Sequence, residues 1–244
     1  MTAGASEGGA AGRVALITGA TGALGRVVAA TFAEDGWRLG LVGTDEGRLR
    51  SMAGDLALDA ERWAPATADL ADAAAARAAV EDIEQRFGAI DAVTHLVGGW
   101  AGGTPITEIA PDEIADMHDQ HVRTTHHVAA AAVPGMVERG WGRVMAVSTP
   151  FATEPGATSG GYAIAKAGQE VLLRMLAKEV AGTGVTVNLV LVKSIDKQHE
   201  RETAPSAKNA GWTTPEEIAA TFRYLASDEA AAINGARIPL FGRG

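Results

Sequence analysis

A tyrosine and a lysine four residues apart, Tyr162 and Lys166, form the first pair in this chain that could do chemistry. A spacing of four places both side chains on one face of a helix. A free tyrosine has a pKa of about 10, which is too high for acid–base work near neutral pH, and a neighbouring ammonium lowers it. The pair therefore predicts a general acid–base that protonates a carbonyl oxygen or deprotonates an alcohol.

Glycines recur every three residues at Gly19, Gly22 and Gly25, directly after a short apolar run. Glycine permits a tight turn and lets the backbone approach a pyrophosphate closely. A helix is expected to begin here, and its free N–H groups and partial positive charge favour phosphate. This order of strand, loop and helix predicts a dinucleotide site, and Lys166 could bind the ribose hydroxyls of the same ligand.

The end of the second predicted strand should select the cofactor. An acidic side chain there, such as Asp45, can bind the ribose hydroxyls of NAD, whereas an arginine favours the 2′-phosphate of NADP. The nearest arginine is Arg48, a few residues further on. We therefore expect NAD or NADP, with a preference for NAD. The alternative for Asp45, and for Asp69 after the third strand, is the N-cap of the following helix.

The elements that must position these residues alternate along the chain. We expect strands at 14–18, 37–42, 62–68, 92–97, 143–148, 185–192 and 237–240, and helices at 25–35, 46–56, 71–87, 111–133, 162–180 and 215–225. Alternation predicts right-handed βαβ units, and continuous apolar runs predict parallel strands buried on both faces. The predicted fold class is α/β, a Rossmann-type doubly wound parallel sheet of about seven strands in three αβα layers.

The composition excludes several other classes of protein. The 244 residues contain no cysteine, so disulfides, thiolate metal sites and cysteine nucleophiles are excluded. A net charge of −9 argues against nucleic acids and anionic membranes as partners. Residues 1–12 lack the apolar stretch of a signal peptide and predict a flexible leader to a single domain over 13–244. We expect a cytoplasmic enzyme with a small-molecule substrate, no membrane contact and no metal.

Nearly the whole chain resembles the short-chain dehydrogenase/reductase family. The resemblance rests on the Thr18–Gly25 loop, Asp69-Leu70, Val147-Ser148-Thr149, Tyr162-x-x-x-Lys166, Val187-Asn188, Pro215-Glu-Glu-Ile218 and Leu225-Ala-Ser-Asp228. It implies a tyrosine acid–base, a lysine that orients the ribose and lowers the tyrosine pKa, and a serine hydroxyl that holds the substrate oxygen. The cofactor site implied is Gly19, Thr21, Gly22, Leu24, Gly25, Thr44, Asp45, Asp69, Leu70, Val97, Gly98, Gly99, Tyr162, Lys166, Val192 and Ser194.

The chain departs from the family pattern around the acid–base. The position of the family's serine is Thr149, with Ser148 beside it, and either hydroxyl could serve. The family's Asn-Asn-Ala-Gly after the fourth strand is His95-Leu-Val-Gly98 here, and its helix asparagine aligns with His121, which could support the lysine in its place. His118, His121, His126 and His127 do not have the spacing of a metal site and are expected at the helix surface or an interface. The run Gly98-Gly-Trp-Ala-Gly-Gly103 and the stretch Gly211-Trp-Thr-Thr-Pro-Glu-Glu-Ile218 resemble the dihydropteridine reductases, a group within the family. Trp100 could stack on a flat substrate or anchor its loop.

Two further expectations concern motion and assembly. The polar stretch 196–211 is predicted to be a substrate lid, with a loop that has no catalytic role as the alternative. The resemblance implies a homodimer or homotetramer through the helices 111–133 and 162–180.

The function predicted is NAD(P)(H)-dependent hydride transfer to or from a carbonyl, an alcohol or a conjugated heterocycle. A low-turnover dinucleotide-binding redox sensor is the alternative, and the glycine spacing alone leaves a sugar-nucleotide epimerase as a third.

Overall fold

The structure is a computed structural model that describes residues 12–241. Over these residues seven strands form one sheet in the order β3-β2-β1-β4-β5-β6-β7, and every neighbouring pair is parallel. The strands are β1 (Val14–Thr18), β2 (Arg38–Gly43), β3 (Trp63–Thr67), β4 (Ala92–His95), β5 (Gly142–Ser148), β6 (Val185–Leu191) and β7 (Arg237–Pro239). The predicted doubly wound α/β fold is confirmed.

Helices connect the strands and cover both faces of the sheet. They are α1 (Ala23–Glu34), α2 (Glu46–Asp55), α3 (Ala73–Phe87), α4 (Pro111–His118), α5 (Thr124–Arg139), α6 (Gly160–Glu179), α7 (Glu200–Thr203) and α8 (Pro215–Leu225). A π-helical turn, Asp119–Arg123, joins α4 to α5, and a short 3-10 turn, Pro150–Ala152, follows β5. Within residues 12–241, no helix combines the length and the apolar character that a membrane crossing requires.

Several element bounds differ from those predicted. The strand expected at 92–97 ends at His95, because the chain leaves the sheet to line the site. The helix expected at 111–133 is interrupted by the π-helical turn and then continues past Pro134 to Arg139. Residues 1–11 of the predicted leader lie outside the described residues, whereas Gly12 donates its N–H to the Gly36 carbonyl.

Two hydrophobic layers hold the sheet between the helices. Along β1, Val14 and Leu16 pack on the layer of α3, α5 and α6, whereas Ala15 and Ile17 pack on the layer of α1, α2 and α8. Successive side chains of a strand point to opposite faces, so a strand buried on both faces must be apolar throughout. This burial explains the continuous apolar run from which β1 was predicted.

The strand order reverses between β1 and β4, and this crevice positions the site. The chain goes outward from β1 to β2 and β3, then crosses back to β4 on the other side of β1. Ligands of such sheets bind outside the carboxyl ends of the strands, where the order reverses. Thr18 and His95 end β1 and β4 side by side, and the Thr18 hydroxyl lies 3.0 Å from the His95 Nδ1.

Candidate active site

The loop between β1 and α1 is built so closely that only glycine fits at its key positions. A Cβ at Gly19 would lie 3.0 Å from the Leu96 carbonyl oxygen, and Gly19 has a φ of +65°. A Cβ at Gly25 would collide with the backbone of Gly19 and Ala20. α1 begins after Gly22 with no side chain capping its first N–H groups. The residues of this helix start, 22–25, line the larger of two cavities, and such a start fits the phosphates of a dinucleotide.

Two cavities lie end to end along the carboxyl edge of the sheet. The larger, about 710 Å³, contains Tyr162 and Lys166, and the smaller, about 360 Å³, lies beyond the ends of β2 and β3. Both are lined by Gly19, Gly22 and the segment 96–98. A dinucleotide has two ends joined by a pyrophosphate, so two cavities that meet at the glycine loop fit it, with nicotinamide in the larger and adenosine in the smaller.

The Tyr162 side chain stands half-buried on the wall of the larger cavity. Burial raises the pKa of its phenol above the usual value, and the neighbouring Thr149 side chain partly offsets this increase. Thr149 itself is buried beneath the surface of the cavity, where its oxygen also accepts the N–H of Phe151. Of the two hydroxyls predicted as alternatives, Thr149 is the one that affects the pKa of Tyr162.

Ser148 is engaged elsewhere, although it also lines the larger cavity. Its hydroxyl donates to the Glu170 carboxylate over 2.7 Å, and the other carboxylate oxygen accepts from Arg237 Nε, also over 2.7 Å. Glu170 is buried, so its charge needs these partners. Ser148, Glu170 and Arg237 therefore connect β5, α6 and β7. The Ser148 hydroxyl already donates its proton to Glu170 and is not free to donate it to a ligand.

Lys166 lies deep in the cavity on the same face of α6 as Tyr162. Its ammonium donates to the Val147 carbonyl and to Gln169 Oε1, each over 2.9 Å. Burial lowers the pKa of this ammonium to about 7, and Glu170 opposes the decrease. In the structure the ammonium thus faces the strand end and Gln169, and the pKa of Tyr162 is raised rather than lowered.

Two histidines stand where the family resemblance implies asparagines, and both are buried. His121 is not at the surface, as the sequence suggested, because the π-helical turn points it inward. Its Nε2 lies 2.9 Å from the Gly99 carbonyl, which only accepts, so Nε2 carries the proton. His95 bridges Thr18 and Thr124. Burial lowers the pKa of both imidazoles to about 3, so both are neutral.

The remaining residues predicted for the cofactor lie around the two cavities, with one exception. Leu24, Gly99, Val192 and Ser194 line the larger cavity, Thr21, Thr44, Asp69 and Leu70 line the smaller, and Val97 and Gly98 line both. Asp45 instead caps α2, where its carboxylate accepts the N–H of Arg48 over 2.9 Å. The Arg48 side chain lines the smaller cavity. Asp69 also forms a local bond, to the N–H of Ala71 over 2.9 Å.

Sequence reasoning missed the polar residues one turn after Lys166, Gln169 and Glu170. Both are buried, and each contacts a group of the predicted site. The signal was present: positions three and four after a lysine share its helix face, and two polar residues there interrupt an apolar surface. Their partners Thr125 and Arg237 come from α5 and β7, which spacing within one helix does not reveal.

Aromatic side chains surround the opening of the larger cavity. Phe151, Trp100 and Trp212 line it, and the Trp100 ring is largely exposed. A Cβ at Gly102 would lie 2.8 Å from the Trp100 ring, so this glycine lets the ring lie against its own loop. Phe151 also borders an apolar cavity of about 580 Å³ formed by Pro105, Ile106 and the start of α6.

The chain is similar to known dehydrogenases and reductases over most of its length. The family model described as short chain dehydrogenase matches residues 13–207. The chain is 37% identical over 234 residues to the (2S)-[(R)-hydroxy(phenyl)methyl]succinyl-CoA dehydrogenase subunit BbsC of Thauera aromatica, covering 92% of this chain and 91% of that protein. It is 29% identical to the 3-oxoacyl-[acyl-carrier-protein] reductase FabG of Pseudomonas aeruginosa, covering 95% and 96%.

Solved structures share the fold over almost their full length. The crystal structure of levodione reductase superposes with a TM-score of 0.86 at 25% identity, covering 95% of this chain and 97% of that one. The 3-ketoacyl-(acyl-carrier-protein) reductase of Brucella melitensis, complexed with NADH, has a TM-score of 0.86 at 22% identity, covering 96% and 98%. The second similarity concerns the fold alone.

Proposed function

The chain belongs to the short chain dehydrogenase family and is an NAD(P)-dependent enzyme, and from this premise we propose that it transfers a hydride between nicotinamide and a carbonyl, an alcohol or a conjugated heterocycle, with Tyr162 as general acid–base. The observation that carries the proposal is the Tyr162 phenol on the cavity wall, with the Thr149 side chain close enough to lower the pKa of that phenol. Two hydroxyl groups placed together can share one substrate oxygen.

The proposed roles balance the reaction in the reducing direction. The carbonyl carbon gains a hydride and the oxygen gains the phenolic proton of Tyr162, so the C=O group becomes CH–OH. A reduced dinucleotide held at the glycine loop and beside Lys166 would supply this hydride and the electron pair that it carries. Thr149 donates to the oxygen while negative charge develops on it. Solvent then returns a proton to the Tyr162 phenolate, which the Lys166 ammonium stabilises in the meantime.

The substrate is proposed to be an acyl thioester or an aryl carbonyl compound. The names of both curated relatives describe an acyl thioester with an oxygen function on its acyl group. The rings of Phe151, Trp100 and Trp212 provide flat apolar surface at the cavity opening. A quinonoid dihydropterin, suggested by the Gly98–Gly103 run, stays a prediction.

The cofactor preference is proposed to be NADP(H), against the preference for NAD expected from Asp45. One carboxylate oxygen of Asp45 accepts the N–H of Arg48 at the start of α2, whereas the Arg48 side chain lines the cavity that fits the adenosine. Arg48→Ala should raise the KM for NADPH roughly three- to tenfold, as for an exposed charge pair, and leave the KM for NADH unchanged. The control is Arg50→Ala, since Arg50 pairs with Glu46 over 2.5 Å. Equal effects of Arg48→Ala on both cofactors would contradict the preference.

The stretch 196–211 is proposed to be the lid over the larger cavity. Residues 196–198 and Glu200 line that cavity, and the buried Asp196 caps α7 by accepting the N–H groups of Glu200 and Arg201 over 2.8 and 2.9 Å. Arg201 in turn pairs with Glu217 on α8 over 2.6 Å. These contacts give the stretch a defined conformation that could open as a unit.

A substrate panel with both cofactors tests the function. NADH or NADPH oxidation would be followed by nicotinamide absorbance with aliphatic and aryl ketones, 3-oxoacyl-CoA thioesters and quinonoid dihydropterin. We expect turnover with at least one carbonyl class, and its loss in Tyr162→Phe. Tight cofactor binding without oxidation by any class would instead support the redox-sensor alternative, which buried His95 and His121 at the asparagine positions keep open.

A further inference from the structure

We propose that Gln169 is a positioning residue for Lys166, and that it anchors the lysine ammonium through a hydrogen-bond chain made of protein groups alone. The chain runs from Lys166 through Gln169 and Thr125 to the main-chain carbonyl of His121. This inference rests on the proposed function, because it concerns the same acid–base pair. It assigns a task to a residue that neither the sequence pattern nor the comparisons single out.

The geometry of the chain is continuous. Lys166 Nζ donates to Gln169 Oε1 over 2.9 Å, Gln169 Nε2 donates to Thr125 Oγ1 over 2.8 Å, and the Thr125 hydroxyl donates to the His121 carbonyl over 2.5 Å. The side chains of Lys166, Gln169 and Thr125 are all buried. Lys166 and Gln169 lie three residues apart on α6, so they share a helix face.

The chemistry of each group fixes its direction in this chain. An ammonium only donates, so the Gln169 carbonyl oxygen must face Lys166 and its NH₂ must face Thr125. The Thr125 oxygen accepts there, which leaves its hydroxyl proton for the His121 carbonyl. Every donor therefore points away from Lys166, and an amide in this orientation holds the ammonium without passing on a proton. With Val147 accepting a second N–H over 2.9 Å, one N–H of Lys166 remains for a ligand in the cavity.

The charges around Lys166 make a neutral acceptor important. On α6, Glu170 favours the ammonium, but it also neutralises Arg237 from β7 over 2.7 Å. His95 on β4 and His121 in the π-helical turn are neutral, and Tyr162 is a half-buried phenol whose pKa is raised. Burial opposes the charge and lowers the Lys166 pKa to about 7. Loss of the Gln169 oxygen should lower that pKa further, since one of the two acceptors disappears.

The test is the pH profile of kcat/KM for alcohol oxidation, which depends on the Tyr162 phenolate. Less ammonium at Lys166 means a higher apparent pKa for the coupled pair, so the rising limb should move to higher pH. Gln169→Met, an unbranched replacement without the amide, should move it by about one pH unit. Thr125→Val should move the rising limb in the same direction by a smaller amount. Gln169→Glu, which restores an acceptor for Lys166, should return the limb towards its wild-type position.

Thr186→Val is the matched control for Thr125→Val. The Thr186 hydroxyl, on β6, is buried and has no hydrogen-bond partner among residues 12–241, so its removal should leave the profile unchanged. The positioning role is overturned if Gln169→Met lowers activity at all pH values without moving the limb, or if Thr125→Val behaves as Thr186→Val does. If Gln169→Met fails to fold, the comparison of the Thr125→Val and Thr186→Val pH profiles tests the proposal without it. Full activity of Tyr162→Phe would instead overturn the proposed function itself.

Discussion

At the scale of single residues, two adjacent hydroxyls at the end of β5 have different surroundings. The Thr149 side chain partly offsets the rise that burial causes in the Tyr162 pKa, whereas Ser148 donates to buried Glu170 over 2.7 Å. A serine hydroxyl has one proton, and the Ser148 hydroxyl already donates it to a buried carboxylate. The family spacing and the geometry therefore agree on Thr149 as the proposed donor to the substrate oxygen.

The two hydroxyls can be separated by matched substitutions. Thr149→Val should lower kcat about 10²- to 10³-fold, the usual cost of losing a donor to a developing oxyanion, and should lower the unfolding free energy by about 1 kcal/mol, because the Phe151 N–H loses its acceptor. Ser148→Ala should keep kcat within a few-fold and lower the unfolding free energy by about 1–3 kcal/mol, because Glu170 loses a buried donor. Steady-state kinetics and denaturant unfolding of both variants check this. The reverse pattern would assign Ser148 to catalysis.

At this scale, local spacing was enough to predict which residues the structure places together. The pairs Gly19/Gly22 and Tyr162/Lys166 each lie on one loop or one helix turn, so their arrangement follows from residue separation. Local spacing did not predict the hydrogen-bond partners of Lys166 beyond its own helix turn. Gln169 reaches Thr125 on a different helix, and packing between helices is not encoded in the spacing of either one.

At the scale of elements, the helix pair α4–α5 differs most from its prediction. The sequence predicted one uninterrupted helix over 111–133. In the structure the helix continues through Pro134 to Arg139 and ends at Gly140 in a left-handed conformation. The π-helical turn 119–123 had no sequence signal. It widens the helix at His121 and turns that ring inward, and such turns are frequent at functional sites.

The outward face of α6 carries an apolar stripe of Ile164, Val171 and Met175, each more than half exposed. The three residues lie seven and four apart, so they form one ridge along the helix. Exposed apolar ridges of this kind mark interaction surfaces, and the family resemblance implies that this helix pairs between subunits. We propose that α6 meets its copy in a homodimer or a homotetramer.

Val171→Asp should shift the protein to a smaller species, because a charge at the centre of the stripe would be buried without a partner. Size-exclusion chromatography with light scattering measures this at micromolar concentration. Arg77→Asp, an exposed charge change on α3, should not alter the mass. A wild-type monomer, or a Val171→Asp variant of unchanged mass, would contradict the assembly.

At the scale of the whole molecule, the sheet order gathers distant segments at one edge. The ends of β1, β4 and β5 bring together the glycine loop, the segment 96–98 and Ser148, although they are far apart in the chain. Strand–helix alternation was enough to predict this arrangement, because right-handed crossovers leave few alternatives. The same burial that forms the site also encloses the neutral imidazoles of His95 and His121.

The stability of the molecule should therefore depend on pH below neutrality. The folded-state pKa of His95 is lowered to about 3 by burial, whereas an unfolded histidine titrates near 6.5. Between these values the unfolded chain binds one more proton, so the stabilisation is complete above about pH 6.5 and declines by about 1.4 kcal/mol per pH unit below it. His121 adds to the slope in the same direction.

His95→Gln should reduce the slope of unfolding free energy against pH by about one proton between roughly pH 6 and pH 5. Urea unfolding at several pH values measures the slope, which is independent of any constant loss of stability in the variant. His126→Gln, a substitution of an exposed histidine, should leave the slope as it is. An unchanged slope in His95→Gln would show that the imidazole is charged in the folded state.

The most direct measurement for the whole account is the turnover of Tyr162→Phe alongside its dinucleotide affinity. The phenylalanine keeps the ring, including its edge contact with His121 at 5.6 Å between centroids, and removes only the proton donor. The proposed mechanism predicts that kcat falls about 10²- to 10⁴-fold, the usual contribution of general acid–base catalysis, while the dinucleotide Kd stays close to that of the wild type. Wild-type turnover in Tyr162→Phe would contradict the assignment of Tyr162 as the acid–base.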